Sequence, residues 1–300
     1  METPRRITVK IGSNVLTRPD GTLDFTRMSA LVDQVAALRR AGIEVVVVSS
    51  GAVASGRSEL RECAGVAALD SVSSRQLFSA VGQAKLINRY FELFRDHGIV
   101  CGQVLATKEN LSTRRHYLNQ QHCMEVMLGA GVVPVVNEND TVSVTELMFT
   151  DNDELSGLVA TMVNSDALII LSNIDGIFTG DPGDPASRLI AAIEPGTDVS
   201  DYIRTSRSSL GRGGMATKHR IARKVAAEGI AVVIANGKRD NILPRLLLPG
   251  AAAADPAPCT RFVPAGERPS SLRKWIAHSD TFAKGRVHVD AGAARALQAG

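Results

Sequence analysis

Short apolar runs of strand length recur along the chain: Ile7 to Ile11, Ile43 to Val48, Val132 to Val136, Ala167 to Leu171 and Ile230 to Ala235. Longer stretches with helical spacing lie between them. Thr26 to Arg39 sets Leu31, Val32, Val35 and Leu38 on one side, and Arg75 to Arg95 does the same with Leu77, Val81, Leu86, Phe91 and Phe94. Such alternation predicts an α/β fold, with an open, mostly parallel central sheet and helices on both faces.

Ligands of open α/β sheets gather outside the carboxyl ends of the strands. Here those ends carry the polar residues: Gly12-Ser13-Asn14, Ser49-Ser50-Gly51, Asn137-Glu138-Asn139-Asp140 and Ser172-Asn173. One crevice on that edge is therefore expected. From Pro249 to Pro258 the periodicity disappears. The chain thus reads as a catalytic domain over 1–250, a linker over 251–259 and a small β-rich tail over 260–300.

The chain has 300 residues, 44% hydrophobic and 22% charged, enough to bury a substantial core. A net charge of +3 is too small to point to nucleic acid or a membrane as the main partner. Cys63, Cys101, Cys123 and Cys259 follow no zinc or thioredoxin-type spacing, so free buried thiols in a reducing compartment are expected. No apolar run has the length of a membrane span, and a cytoplasmic location is expected.

The candidate chemistry rests on two lysines and an acidic block. Lys10 sits within Val9-Lys10-Ile11, at the end of a buried strand, where an ammonium group must find an anion or bear a large desolvation cost. Snorkelling, or pairing with a carboxylate, would also satisfy it. Lys218 closes Gly211-Arg212-Gly213-Gly214-Met215-Ala216-Thr217-Lys218, about two hundred residues later. That block is not a dinucleotide fingerprint, because Arg204 to Ser209 before it is polar rather than a strand, and no Walker A loop occurs. Consecutive glycines ahead of a helix would let backbone N–H groups approach phosphate oxygens, although a plain surface loop is equally open.

Asp140, Asp151, Asp153 and Glu154 are either a solvated loop face or carboxylates opening onto the crevice, the second at a helix start carrying Leu155, Leu158 and Val159. None of the histidines lies in a catalytic pattern. His97 reads as a helix-end residue, and His116, His122 and His219 as surface or pocket-edge groups. Ser50 lacks the G-x-S-x-G setting of a nucleophile, so its turn is expected to bind a carboxylate through the backbone.

Taken together, Val9-Lys10-Ile11-Gly12-Ser13, Ser49-Ser50-Gly51-Ala52, Ala80-Val81-Gly82-Gln83, Val136-Asn137-Glu138-Asn139-Asp140, Asp151-Asn152-Asp153 and Gly213-Gly214-Met215-Ala216-Thr217-Lys218 resemble the glutamate 5-kinases of the amino acid kinase superfamily. The resemblance runs from about Arg5 to Leu248. It implies ATP-dependent phosphorylation of the γ-carboxylate of L-glutamate, the first step toward proline. It also implies that Lys10 and Lys218 contact the transferring phosphoryl group while Asp153 holds both lysines. Ser50, Asp140 and Asn152 would bind glutamate. Lys10, Gly12, Ser13, Ser172 and Asn173, with Arg212, Gly213, Gly214, Met215, Ala216, Thr217 and Lys218, would bind ATP. Mg2+ would bridge the phosphates with no protein ligand assigned.

The resemblance further implies proline as a feedback inhibitor, Thr107 to Cys123 as a region of oligomer contact and feedback, a homo-oligomer (dimer or tetramer), and hand-off of product to glutamate-5-semialdehyde dehydrogenase. Asn173 stands where many relatives have Asp, and Arg212 replaces a commoner Thr. Thr260 to Pro264, Arg273 to Ile276 and Val289 to Ala293 resemble the opening of a PUA module. Arg273, Lys274, Lys284 and Arg286 would suit RNA contact, but with one Trp and little net charge the expected role of this segment is packing or oligomer contact, or partial disorder, and not nucleic-acid binding. Other superfamily activities remain open, on acetylglutamate, uridylate or carbamate, as does a non-catalytic sensor of glutamate, proline or nucleotide.

Overall fold

The structure, a computed structural model, describes residues 3–63, 65–142, 151–203, 214–266, 275 and 288–299. Its strands are β1 (Arg6–Ile11), β2 (Glu44–Ser49), β3 (Cys101–Ala106), β4 (Val133–Glu138), β5 (Ala167–Ser172), β6 (Ala192–Ile193), β7 (Ala231–Asn236) and β8 (Cys259–Phe262). Its helices are α1 (Ser13–Leu16), α2 (Phe25–Arg40), α3 (Ala52–Glu59), α4 (Ser71–Arg95), α5 (Lys108–Ser112), α6 (Arg114–Gly129), α7 (Asn152–Met162), α8 (Ser200–Ile203), α9 (Met215–Ala227), α10 (Ile242–Leu247), α11 (Pro249–Ala254) and α12 (Ala291–Ala299).

The strands form one sheet in the order β3-β4-β2-β1-β5-β7-β8-β6. Every pairing is parallel except β7 with β8. The carboxyl ends of β1, β2, β4 and β5 therefore open on one edge, and β1 lies among them.

Strand alternation sorts the helices. On β1, Ile7, Val9 and Ile11 join a core with Leu31 of α2, Leu86 of α4 and Leu243 of α10. The intervening Thr8 and Lys10 point to the opposite face. There Val46 and Val48 pack with Met124 of α6 and Leu155 of α7, while Leu168 and Ile170 pack with Ile221 and Val225 of α9. Lys10 thus emerges on the side of α7 and α9.

Helix α4 begins earlier than its apolar spacing suggests, capped by Asp70, which accepts from the backbone N–H groups of Val72 and Ser73. Its buried stripe is Phe78, Gly82, Leu86, Tyr90 and Phe94, whereas Leu77 and Val81 are half-buried and Phe91 is exposed. The expected face was rotated because a glycine, not a large side chain, marks the closest contact. A Cβ on Gly82 would lie 1.8 Å from the Ala52 carbonyl oxygen, and one on Gly56 would lie 1.8 Å from that of Phe78. The crossing of α3 and α4 at these glycines also buries Ser79 and Gln83.

The carboxyl-terminal boundary differs from expectation. Residues 249–254 form α11 rather than a linker, and β8 pairs with β7 and β6 as part of the central sheet rather than opening a separate tail. Thr260 ties this strand in: its hydroxyl accepts from Ile177 N at 2.8 Å and donates to Ile190 O at 2.7 Å. A four-residue strand leaves too short an alternation to be recognised without its partners. Of the tail beyond it, the structure describes Trp275, packed near Met127 and α6, and the helix α12. Arg273, Lys274, Lys284 and Arg286 lie outside the described residues.

Cys101 and Cys259 are buried as expected, but Cys63 and Cys123 are exposed. No helix among the described residues is long and apolar enough to cross a membrane.

Replacing Gly82 by Ala forces the α3 and α4 backbones apart, since the obstructing atom is a carbonyl oxygen. The expected loss of stability is about 3 kcal/mol, the upper end for overpacking, as measured by urea unfolding.

Candidate active site

Asp153 is completely buried in the first turn of α7, with one lysine on each carboxylate oxygen. Lys10 Nζ lies 2.5 Å from Oδ1, and Lys218 Nζ lies 2.9 Å from Oδ2. Three constraints bring them together: the even phase of β1, the start of α7, and the first turn of α9, where Lys218 N bonds back to Gly214 O. Burial pushes the Asp153 carboxyl upward, but the Lys10 and then the Lys218 ammonium groups outweigh it and hold the carboxyl below the usual range. Two cations share this one anion and both border the cleft, with the Asp151 carboxylate as a further negative charge nearby.

Asp151 caps α7, accepting from Asp153 N at 2.9 Å and Glu154 N at 3.1 Å. Burial raises its carboxyl above the ordinary range, and the Asp153 charge adds to that. Its Oδ2 has no hydrogen-bond partner among the described residues.

The next residue, Asn152, reaches across to the end of β2. Its Nδ2 lies 2.9 Å from Ser49 O, 3.0 Å from Ser50 Oγ and 3.0 Å from Asn137 Oδ1. Asn137 in turn donates to Gln83 Oε1 at 2.8 Å. The β2 turn holds Ser50 in place through Gly51, whose φ of 109° is accessible mainly to glycine.

At the far end, β4 runs directly into the acidic block. Glu138 and Asp140 are both buried, and Arg75 of α4 lies between them. Its Nε and Nη2 donate to Asp140 Oδ1 at 2.8 and 2.5 Å, and Nη2 also donates to Glu138 Oε2 at 3.2 Å. Ser79 Oγ, one turn along α4, donates to Asp140 Oδ2 at 3.4 Å.

These groups line one cleft of about 670 Å³. Of the residues expected at the site, Lys10, Gly12, Ser13, Ser50, Asp140, Asn152, Ser172 and Lys218 border it. Asp153 sits behind the lysines. Asn173 lies beside Ser172, with its Oδ1 3.4 Å from Ser172 Oγ, but is not part of the cleft wall. Gly214 caps α9, with Met215 and Thr217 in its first turn, while Ala216 borders a separate depression beside His219 and Arg223. Arg212 and Gly213 lie outside the described residues. His219 is buried against Phe262 and borders that depression, the pocket-edge alternative of its expected placement.

Sequence reasoning passed over Arg75 and the paired roles of Gln83 and Asn137. Arg75, Ser79 and Gln83 recur every fourth residue, a polar stripe beside the apolar one on α4. That spacing was the available signal.

Asp153→Asn leaves two buried ammonium groups without their anion and is expected to cost about 3–5 kcal/mol at pH 7 by urea unfolding. The folded-state carboxyl titrates below its ordinary 3.8, so its contribution is complete above that value and fades as pH falls through the depressed one. The stability gap between the two proteins should therefore narrow below about pH 4.

Comparison with known proteins bears on the family and the fold. The profile of the Amino acid kinase family matches residues 5–236. A glutamate 5-kinase of Bacteroides thetaiotaomicron is 67% identical over 95% of this chain and 77% of its own length. One from Chlorobaculum tepidum is 46% identical over 99% of this chain and 79% of its own. Among solved structures, carbamate kinase from Giardia lamblia bound to AMP-PNP superposes with a TM-score of 0.61 at 16% identity, covering 88% of this chain and 100% of that one. UMP kinase from Ureaplasma parvum gives 0.57 at 14% identity, with coverage of 88% and 100%. At such identities the two structures speak to the fold alone, and the profile together with the two close relatives shows that this chain belongs to the amino acid kinase family.

Proposed function

We propose that this protein transfers the γ-phosphoryl group of ATP to the γ-carboxylate of L-glutamate, forming γ-glutamyl phosphate. The observation that carries the reading is the pair of buried lysines, far apart in the chain, held by one aspartate at a shared cleft. Relatives named glutamate 5-kinase at 67% and 46% identity support the choice of glutamate.

The nucleophile needs no general base, because a γ-carboxyl group with a reference pKa near 4.3 is already ionised at neutral pH. The obstacle is repulsion between two anions. Lys10 and Lys218 meet it with charges positioned before substrate arrives, so little reorganisation is needed as negative charge spreads over the transferring group. Asp153 sets the separation of the two ammonium groups and keeps them from seeking other partners.

Glutamate would be held by its amino acid end. Asn152 commits its amide N–H groups to Ser49, Ser50 and Asn137, which leaves its carbonyl oxygen as an acceptor for the substrate ammonium, beside the Asp140 carboxylate. The Ser50 turn and its backbone would receive the α-carboxylate. ATP would lie along Gly12, Ser13 and Ser172 toward the start of α9. Magnesium would be carried chiefly on the nucleotide phosphates. The Asp151 Oδ2 atom would be its available protein oxygen, and the ion would neutralise phosphate charge.

Proline shares the α-carboxylate and cationic amine of glutamate, so the same pocket end would accept it as an inhibitor, with Thr107 to Cys123 as the region of oligomer contact.

In an ADP-release assay with glutamate, aspartate, N-acetylglutamate and UMP, only glutamate should support turnover; equal rates with another acceptor would refute the assignment. Lys10→Ala and Lys218→Ala should each lower kcat by roughly 10²-fold or more, and near-normal turnover in either folded variant would contradict the role given to them.

A further inference from the structure

The polar stripe of α4 meets the end of β4 in register. Arg75 faces Asp140 and Glu138, Ser79 faces Asp140, and Gln83 faces Asn137. Each partner on β4 is buried, so α4 supplies donors to groups that water reaches poorly. Arg75 itself borders the cleft and keeps 18% of its side chain exposed. The other arginine on this wall, Arg57 of α3, is drawn instead over the Phe78 ring, 5.5 Å from its centroid.

We infer that Arg75 is a positioning residue that sets glutamate affinity, by fixing Asp140 and Glu138 side by side and reducing their joint charge from two negatives to one. The inference rests on the glutamate reading above and deepens it. Two buried carboxylates that close repel each other, and without a cation one of them must protonate or turn away. The guanidinium prevents both. Its Nε and Nη2 converge on Asp140 Oδ1, which leaves Oδ2, contacted by Ser79 at 3.4 Å, as the less committed oxygen. One remaining negative charge at the pocket end matches one α-ammonium group. A lysine would preserve the charge but could not bridge both carboxylates through a planar fork.

The site separates this role from catalysis. The phosphoryl-transfer lysines belong to β1 and α9 and bond to Asp153, which shares no hydrogen bond with Arg75 among the described residues. Loss of Arg75 should therefore act on glutamate binding and spare the chemical step.

The test is steady-state kinetics of the full chain carrying Arg75→Met, Arg75→Lys, or Arg75→Met combined with Glu138→Gln. Arg75→Met should raise KM for glutamate about 10²-fold, as for truncation of one partner of a buried charge pair, while kcat at saturating glutamate and KM for ATP change less than about threefold. Arg75→Lys should recover about tenfold of that loss. The double variant should bind glutamate about tenfold better than Arg75→Met alone, because it removes one of the two repelling charges.

A folded Arg75→Met protein with unchanged glutamate KM overturns the inference. So does a fall in kcat and a rise in both KM values together, or a double variant no better than the single one, since each marks a merely structural arginine. If Arg75→Met does not fold, Arg75→Lys decides against the unaltered protein: a glutamate KM raised about tenfold with kcat and KM for ATP within about threefold supports the inference, and an unchanged glutamate KM overturns it. Glutamate-dependent ADP release by the unaltered protein distinguishes the two levels: present, only the arginine role is at stake; absent, the glutamate reading fails and this inference with it.

Discussion

The contact between Asp153 and its two lysines is the constraint around which the rest of the site is arranged. An aspartate with no exposure at all is tolerable only because both of its oxygens meet ammonium groups, and each lysine is tolerable only because of the aspartate. Both ammonium groups also border the cleft, so the pairing sets a demand for charge balance at its wall.

That demand explains why the surrounding elements start and stop where they do. The parallel order places the ends of β1, β2, β4 and β5 on one edge, and α7 must begin there for its first turn to present Asp153. Asp151 caps that turn, so one short segment both starts a helix and supplies the central carboxylate. Asn152, between them, reaches the opposite way to β2 and β4. Three consecutive residues thus cap the helix, tie it to β2 and β4, and hold the two lysines of a single cleft.

The two ends of the cleft solve opposite electrostatic problems with the same device. At one end two cations share an anion, and at the other two carboxylates share the Arg75 cation. Under the proposed reading, the paired lysines meet phosphate charge and the paired carboxylates meet an ammonium group. Both clusters are held by rigid elements, β1, α7 and α9 on one side and α4 with β4 on the other, which favours a preformed geometry.

Much of this was legible in the residue order. Apolar runs of strand length located β1, β2, β4, β5 and β7, because a strand buried on both faces is apolar without interruption. The polar residues after those runs marked the ligand edge, and Lys10 within its apolar run already required an anion. What only the folded chain decided was which partners these groups take: that Asp153, rather than its acidic neighbours, stands between the lysines, that Arg75 joins Asp140 to Glu138, that glycines turn the buried face of α4, and that β8 joins the sheet between β7 and β6. Those outcomes depend on close approach between segments far apart in the chain, and local periodicity carries no information about distance across a core.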